Sequence, residues 1–472
     1  MPFIANTNLL LLLLIVVAHA SPPRFHLFYP HNFTMSSSSS PSPSIHHRSS
    51  SGGGSKNPTL SLLHRDAIPG AAAHPSRRHA VLRRVARDNA RVEHLAKRLS
   101  SSASYVAEDL GTEVVSGLAE GSGEYFVRVG VGSPPTDQYL VVDSGSDVIW
   151  VQCRPCAQCY PQSDPLFDPA TSSSFSPVAC GSAICRMLPR TGCGGGDGCE
   201  YEVSYGDGSY TKGVLALDTL TFAGGAAVEG VAIGCGHRNS GLFVGAAGLL
   251  GLGWGPMSLV GQLGGAAGGA FSYCLASRGA GNNADVASAG SLVLGRSDAV
   301  PTGAVWVPLV RNSNAPSFYY VGLDGIGVGG ERLPLQDGVF ALTDDGDGGV
   351  VMDTGTAVTR LPADAYAALR DAFAGAAVGL PRAAAVSLLD TCYDLSGYES
   401  VRVPTVSLYF EQGAVLTLPA RNLLVDVGGG VYCLAFAPSS SGLSIFGNIQ
   451  QEGIQITVDS ANGFVGFGPN TC

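Results

Sequence analysis

Two aspartates in this chain follow the same kind of apolar strand and precede the same kind of turn. Asp143 ends the run Tyr-Leu-Val-Val and precedes Ser-Gly-Ser, and Asp353 ends Gly-Val-Val-Met and precedes Thr-Gly-Thr. Two carboxylates brought together cannot both ionise easily, so such a pair shares one proton. The ionised member can take a proton from a water molecule while the protonated member polarises a carbonyl. The pattern predicts a pair of carboxylates that hydrolyses a bond by acid–base chemistry.

The residues after each aspartate suit that chemistry. Gly145 and Gly355 allow the chain to turn sharply behind the carboxylate. The hydroxyls of Ser146 and Thr356 can each donate to the outer carboxylate oxygen, which favours the ionised form and fixes its orientation. We therefore predict these four residues to support the pair.

A second pair of segments repeats in the same order. Gly248-Leu-Leu-Gly251 follows the first aspartate, and Ser444-Ile-Phe-Gly447 follows the second. The aspartates lie 210 residues apart and the closing glycines 196 apart. Two motifs at nearly the same interval indicate duplicated lobes, with the carboxylates meeting in the cleft between them.

The body of the chain is predicted to be mostly β. From residue 123 onward, short alternating runs lie between Gly, Pro and Asp turns, as at 123–132, 138–145, 443–450 and 463–468. Helical patterns are few, and 363–373 is the clearest. We assign 111–310 to the first lobe and 311–472 to the second.

Charge and cysteine content separate a front segment from this body. Residues 21–110 carry 12 basic and 5 acidic side chains, net +7, while 111–472 has a net charge of −17. All twelve cysteines lie at or after residue 153.

Residues 1–20 hold an apolar run at 9–17 followed by Ala-His-Ala, the pattern of a cleaved secretory signal. Secretion predicts disulfides, and leaves apoplast, vacuole and endoplasmic reticulum undistinguished.

The front segment, 21–110, is interpreted as a basic prosegment. Residues 36–55 are mostly Ser, Pro and Gly, which predicts disorder, whereas 80–99 shows helical spacing with apolar positions at 81, 85, 92, 95 and 99. A basic helix beside an acidic body favours an intramolecular inhibitor that covers the cleft until cleavage. The alternative is a solvated basic helix.

From about residue 121 to the end, the chain resembles the pepsin-like aspartic proteases, and among them the plant nepenthesin-like group with its guard-cell members. The matching motifs are Asp143-Ser-Gly-Ser-Asp-Val-Ile-Trp150, Tyr205-Gly-Asp-Gly-Ser209, Asp353-Thr-Gly-Thr356 and both apolar-apolar-Gly segments. The resemblance implies a bilobal fold and an aspartic endopeptidase that cleaves proteins at acid pH, made as a zymogen. Asp-Ser-Gly replaces the commoner Asp-Thr-Gly, which keeps the hydroxyl.

The resemblance also implies roles outside the aspartate motifs. Tyr205 would lie on a mobile flap over substrate, with Gly206 and Gly208 freeing the turn, and Trp150 would hydrogen-bond the tyrosine. The seven cysteines between Asp143 and the flap would staple a loop. Cys392 with Cys433 would form a second-lobe disulfide; the remaining pairings stay open.

Other classes of function fit the sequence less well. A non-catalytic inhibitor on the same fold would have lost part of the active-site set, and a nucleoid DNA-binding protease conflicts with the acidic body. A glycosidase also uses two carboxylates but does not require the duplicated turns. The closely spaced Cys153, Cys156 and Cys159 resemble metal ligands, yet secretion favours disulfides. We predict a monomer without cofactor, metal, nucleic acid or membrane span.

Overall fold

The computed structural model describes residues 23–30, 59–65, 76–100, 125–188, 190–193, 197–205, 208–241, 243, 245–264, 268–275, 290–295 and 303–468. The predicted signal peptide and the Ser/Pro/Gly-rich stretch 36–55 lie outside these residues. None of the helices within them is long and apolar enough to cross a membrane.

The elements fall into three groups along the chain. The front segment holds β1 (Phe25–Phe28), β2 (Thr59–His64) and α1 (Arg77–Ser100). The first lobe holds β3 (Tyr125–Val131), β4 (Thr136–Asp143), β5 (Trp150–Gln152), β6 (Ser176–Pro177), β7 (Thr191–Cys193), β8 (Cys199–Ser204), β9 (Tyr210–Thr221), β10 (Ala227–Ser240), β11 (Gly248–Gly251), α2 (Leu259–Leu263), β12 (Ala270–Cys274) and β13 (Gly290–Leu294). The strand β14 (Val305–Val310) ends the residues assigned to the first lobe and pairs with strands of the second. The second lobe holds β15 (Tyr319–Val321), β16 (Leu323–Val328), β17 (Glu331–Arg332), β18 (Val350–Met352), β19 (Thr359–Leu361), α3 (Ala363–Ala376), β20 (Arg382–Ala383), β21 (Cys392–Asp394), β22 (Val401–Pro404), β23 (Val406–Phe410), β24 (Val415–Thr417), β25 (Leu424–Gly428), β26 (Val431–Leu434), β27 (Phe436–Pro438), β28 (Ser444–Phe446), α4 (Asn448–Gln451), β29 (Gln455–Asp459) and β30 (Phe464–Gly468).

The predicted mostly-β, two-lobed fold is confirmed. Its two halves repeat one strand arrangement around the aspartate motifs. In the first lobe β4 pairs in parallel with β11, which places Gly251 opposite Asp143. In the second lobe β18 pairs in parallel with β28, which places Phe446 opposite Met352, one residue before Asp353. The four segments that repeat in the sequence are therefore two pairs of neighbouring strands.

One antiparallel sheet joins the lobes and includes a strand from the front segment. Its order is β2, β13, β12, β29, β30 and β14. The side chains of β2 alternate between exposed and buried at its start, and Leu60 and Leu62 enter the main core. β1 pairs with β22 of the second lobe in a separate two-stranded antiparallel sheet. The front segment is thus built into the sheets at two places.

A helix covers the segment in which the sequence predicts one. α1 runs from Arg77 to Ser100, and its apolar stripe faces the second lobe. Val81 and Val85 pack in one buried cluster with residues of that lobe, and Val92 and Leu95 pack in another. Amphipathic spacing alone therefore specifies which side of the helix is buried.

The strand predicted over 443–450 is shorter than its apolar pattern indicates. It ends at Phe446, and Asn448–Gln451 form the helical turn α4. The Asn448 side chain donates to the Thr354 carbonyl, and the Gln450 side chain donates to the carbonyls of Asn422 and Ala435. These tertiary hydrogen bonds fix the turn in a segment whose composition would also suit a strand.

Candidate active site

Asp143 and Asp353 meet at the contact between the lobes. Asp143 is the last residue of β4, and Asp353 follows β18 directly. Both are buried beneath α1, with exposures of 2% and 0%. One nitrogen atom, Nη2 of Arg91, lies 2.7 Å from Oδ1 of each aspartate. Oxygens that share one donor in this way are close neighbours, so the structure brings the two sequence-predicted carboxylates together.

Each carboxylate has the same local set of donors. Ser146 donates to Oδ2 of Asp143 at 2.6 Å, and Thr356 donates to Oδ2 of Asp353 at 2.6 Å. The backbone N–H of Gly145 and that of Gly355 donate to the Oδ1 atoms at 3.0 and 3.1 Å. These paired hydrogen bonds hold each carboxylate in a fixed orientation.

A further contact links the two motifs across the lobes and was not anticipated from the sequence. The backbone N–H of Thr354 donates to the Ser144 hydroxyl at 3.1 Å, and the N–H of Ser144 donates to the Thr354 hydroxyl at 3.3 Å. The serine of the Asp-Ser-Gly motif therefore keeps a function that depends on its hydroxyl. This reciprocal bonding fixes the spacing of the two carboxylates, because each residue directly follows its aspartate.

Arg91 of α1 occupies the space between the carboxylates. Besides its Nη2 contacts, its Nε donates to Oδ2 of Asp353 at 2.6 Å. A β-carbon added at Gly355 would lie within 2.7 Å of both terminal nitrogens of Arg91. The glycines therefore do more than permit the turn, since the one at 355 also leaves room for the guanidinium.

This arrangement shifts the titration of both partners. Burial opposes ionisation of Asp143, but Arg91, Ser146 and the Gly145 N–H outweigh it and hold the pKa of Asp143 below its ordinary value. Burial likewise opposes the charged form of Arg91, and the two aspartates overcome it and raise its pKa well above the ordinary value. The guanidinium stays charged, and its positive charge faces both carboxylates.

A second polar contact anchors α1 one turn before Arg91. Asp88 is buried and accepts hydrogen bonds from the backbone N–H groups of Ala357 and Val358, the second at 2.9 Å. Arg360 donates to Asp88 at 3.2 Å and to the Asn89 side chain at 2.8 Å. Burial raises the pKa of Asp88, although Arg360 and the two N–H groups act in the opposite direction.

The residues assigned to the flap lie together in the first lobe. Nε1 of the buried Trp150 donates to the Tyr205 hydroxyl at 2.8 Å. The Tyr205 ring packs edge-on against Phe243 at 5.6 Å between centroids. Gly208 has φ +80°, a conformation that favours glycine, and its N–H donates to the Tyr205 carbonyl. Gly206 lies outside the described residues.

The described cysteines are all joined in disulfides. The pairs are Cys153–Cys235, Cys156–Cys159, Cys180–Cys193, Cys185–Cys199 and Cys392–Cys433, and Cys274 is disulfide-bonded as well. Cys153, Cys156 and Cys159, whose spacing resembles that of metal ligands, are therefore joined in disulfides. Cys392–Cys433 joins β21 to β26, and the other four pairs connect the region around the flap.

The fold and the site define a pepsin-like aspartic protease. Two family models match, described as the xylanase inhibitor N-terminal and C-terminal domains, over residues 125–296 and 318–469. The Arabidopsis thaliana protein named aspartic protease in guard cell 2 is 62% identical over 421 residues, which cover 88% of this chain and 87% of the relative. Aspartic proteinase nepenthesin-2 of Nepenthes gracilis is 43% identical over 357 residues, covering 75% and 78%.

Solved structures agree on the fold. Conglutin gamma, a basic 7S globulin from lupine seeds, superposes with a TM-score of 0.59 at 21% identity, covering 74% of this chain and 92% of that one. Basic 7S globulin from soybean gives 0.56 at 21%, covering 73% and 91%. The chain belongs to the pepsin-like aspartic protease family, with relatives among the plant nepenthesins, and is an aspartic endopeptidase. Although the family models carry the description of an inhibitor, the two sequence relatives from Arabidopsis thaliana and Nepenthes gracilis are named as an aspartic protease and an aspartic proteinase.

Proposed function

We propose that Asp143 and Asp353 are the catalytic pair of this endopeptidase and that α1 holds the enzyme as a zymogen. The observation that supports both statements is Arg91, which binds both carboxylates at once. A guanidinium in that position, with its side chain 13% exposed, excludes substrate and replaces the water that must attack the peptide bond.

In the active enzyme the pair carries one proton. The ionised aspartate takes a proton from a water molecule as the water attacks the scissile carbonyl, and the protonated aspartate donates to the carbonyl oxygen. Ser146, Thr356, Gly145 and Gly355 keep the carboxylates oriented, as their hydrogen bonds and turns indicate. The two protonation steps belong to the pair rather than to either residue.

The flap completes the site. Tyr205, held by Trp150, closes over a bound peptide, and Gly206 and Gly208 let the turn move. A closed flap excludes water and strengthens the electrostatic contacts at the carbonyl. Protein and peptide substrates enter the same cleft that α1 fills in the latent form.

The remaining proposals concern processing and location. Residues 1–20 act as a secretory signal, 21–110 as the prosegment, and 111–310 and 311–472 as the two lobes of a monomer. The disulfides support an oxidising compartment, and the apolar run 9–17 supports entry into the secretory pathway. N-terminal sequencing of the active protein tests the processing boundary.

Casein cleavage across pH 3 to 7 tests the catalytic assignment. The full chain is compared with its Asp143→Asn and Asp353→Asn variants, with and without a statine-type inhibitor. Each variant is expected to lose at least about a thousandfold in kcat, because neither acid nor base chemistry survives alone. Asp337→Asn, at an exposed position, is the matched control. Undiminished cleavage by either active-site variant refutes the assignment.

A further inference from the structure

The contact between Asp88 and the second lobe describes a site for a carboxylate. One oxygen of Asp88 accepts the N–H of Ala357, and the other accepts the N–H of Val358 and one nitrogen of Arg360. Two backbone donors and a guanidinium directed at the two oxygens of one group match the shape and charge of a carboxylate. The donors belong to the enzyme body, and only the acceptor belongs to α1.

The position of Arg360 suits a residue that binds an anionic group. Its side chain is 4% exposed, and its Nε is buried with no hydrogen-bond partner among the described residues. Its hydrogen-bond acceptors Asp88 and Asn89 both lie on α1. When α1 leaves, the guanidinium loses both acceptors and faces the vacated cleft. A cation left in this position requires an anion or water to replace them.

The site is close to the reacting bond. Asp88 and Arg91 lie three residues apart on α1, which corresponds to about 4.5 Å along the helix axis. An extended peptide advances about 3.3 Å per residue. A side chain that replaced Asp88 would therefore belong to a residue within two or three positions of the bond held at Asp143 and Asp353.

From this geometry we infer that the active enzyme has a subsite for an acidic side chain of its peptide substrate, formed by Ala357 N–H, Val358 N–H and Arg360. This inference rests on the proposed catalytic site and adds the class of substrate to it. In the latent enzyme Asp88 occupies the subsite as a substrate side chain would, while Arg91 occupies the catalytic pair. In a body of strongly negative charge, such a buried cation selects substrates that other surfaces repel.

The experiment begins with the full chain so that all strands of the joining sheet are present. Recognition sites for an unrelated protease are inserted in 66–75 and in 101–110, on either side of α1. The folded chain is cut, and α1 is removed by gel filtration at acid pH. Amidated peptides carrying Asp or Asn at each position within four residues of the cleaved bond are then assayed at about pH 5, above the ordinary aspartate pKa of about 3.9.

At one position Asp is expected to raise kcat/KM about tenfold over Asn, because the amide nitrogen of Asn would face the donors of the site and cannot accept a hydrogen bond from them. Arg360→Gln is expected to bring this ratio close to one. Arg360→Lys keeps the charge and controls for a folding defect in the Gln variant. It is expected to retain part of the preference for Asp. Arg332→Gln, at an exposed arginine, should keep the whole preference.

The outcomes distinguish failure of the proposed catalytic pair from failure of the proposed subsite. No cleavage of any peptide defeats the catalytic proposal and this inference with it. Cleavage without an Asp preference at any position, or with a preference that Arg360→Gln leaves intact, overturns the inference alone. If the same peptides with a free carboxyl terminus show a preference that the amidated peptides lack, the site binds a chain end, and the side-chain subsite is wrong.

Discussion

Nη2 of Arg91 donates to Oδ1 of Asp143 at 2.7 Å, although 52 residues of chain separate them. The same nitrogen lies 2.7 Å from Oδ1 of Asp353. A single basic side chain thereby closes a site whose two acids come from different lobes. The proposed latency depends on a few identifiable contacts, and each of them can be altered separately.

Arg91→Gln is expected to weaken docking of α1. Removing one partner of a buried charge pair costs roughly 3 kcal/mol, which corresponds to more than a hundredfold in the docking equilibrium. The full-length variant should therefore cleave casein at a higher pH than the unaltered chain. Arg78→Gln, on the exposed first turn of the same helix, is the control and should behave as the unaltered chain does. Equal latency of the two variants would contradict a clamp at Arg91.

Acid release of α1 is expected as pH falls. The pKa of Asp143 is held below its ordinary value in the docked state, so its contribution to docking is lost as pH falls through the lowered value. Asp88 has the opposite sign, because its raised pKa means that the docked helix binds a proton more tightly than the free helix. Asp88 therefore favours docking at pH values below its ordinary pKa, and this contribution is lost as pH rises through its raised pKa.

The measurement is protection of α1 from an added protease as a function of pH. The unaltered chain should lose protection below about pH 4. Asp88→Asn removes the opposing titration, so its protection should no longer decline between the ordinary and the raised pKa of Asp88. Protection that does not fall as pH is lowered below about 4 would contradict the direction assigned to Asp143.

Gly355→Ala is expected to displace Arg91. The added β-carbon would meet the guanidinium of Arg91, which provides its three nearest atoms. Docking of α1 should weaken by at least about tenfold, since the charged group must move away from its partners. Gly375→Ala on α3 is the matched control, because nothing lies within 4 Å of its added carbon. If the Gly355→Ala chain stays as latent as the Gly375→Ala chain, Arg91 does not lie beside residue 355.

Tyr205→Phe is expected to impair closure of the flap. It leaves the buried Nε1 of Trp150 without the acceptor that the structure gives it. About 1 kcal/mol of closed-state stability should be lost, and kcat/KM of the activated enzyme should fall about five- to tenfold. Tyr398→Phe, at an exposed tyrosine, tests for a general effect of the substitution. Amide hydrogen exchange at 208–210 should rise only in the Tyr205 variant.

Local pattern was sufficient to predict the elements that hold the carboxylates. Strand β4 ends at Asp143 and strand β18 ends one residue before Asp353, as the apolar runs indicate. The spacing of Val81, Val85, Val92 and Leu95 predicts the buried side of α1. These features depend on neighbouring residues, so they can be recognised without the tertiary fold.

The contacts of α1 could not be predicted in the same way. The front segment has twelve basic side chains, and only docking selects Arg91 for the catalytic pair. One signal was available in Asp88, an acidic residue within the apolar stripe, since a charge on a buried side requires a partner. Its partner Arg360 lies 272 residues away, a separation that no local pattern spans. The same reason leaves disulfide pairings undetermined from sequence.

The position of β2 determines when the joining sheet can form during synthesis. Thr59–His64 leaves the ribosome before either lobe exists, yet it pairs with β13 near residue 290, and the sheet continues through strands that end at Gly468. The strands β3 to β11 can associate while the chain is still growing, because their partners are already made. The sheet that unites the lobes must wait for nearly the last residues of the chain. Pairing across such sequence distances is slow, so completion of this sheet is expected to be a late step of folding.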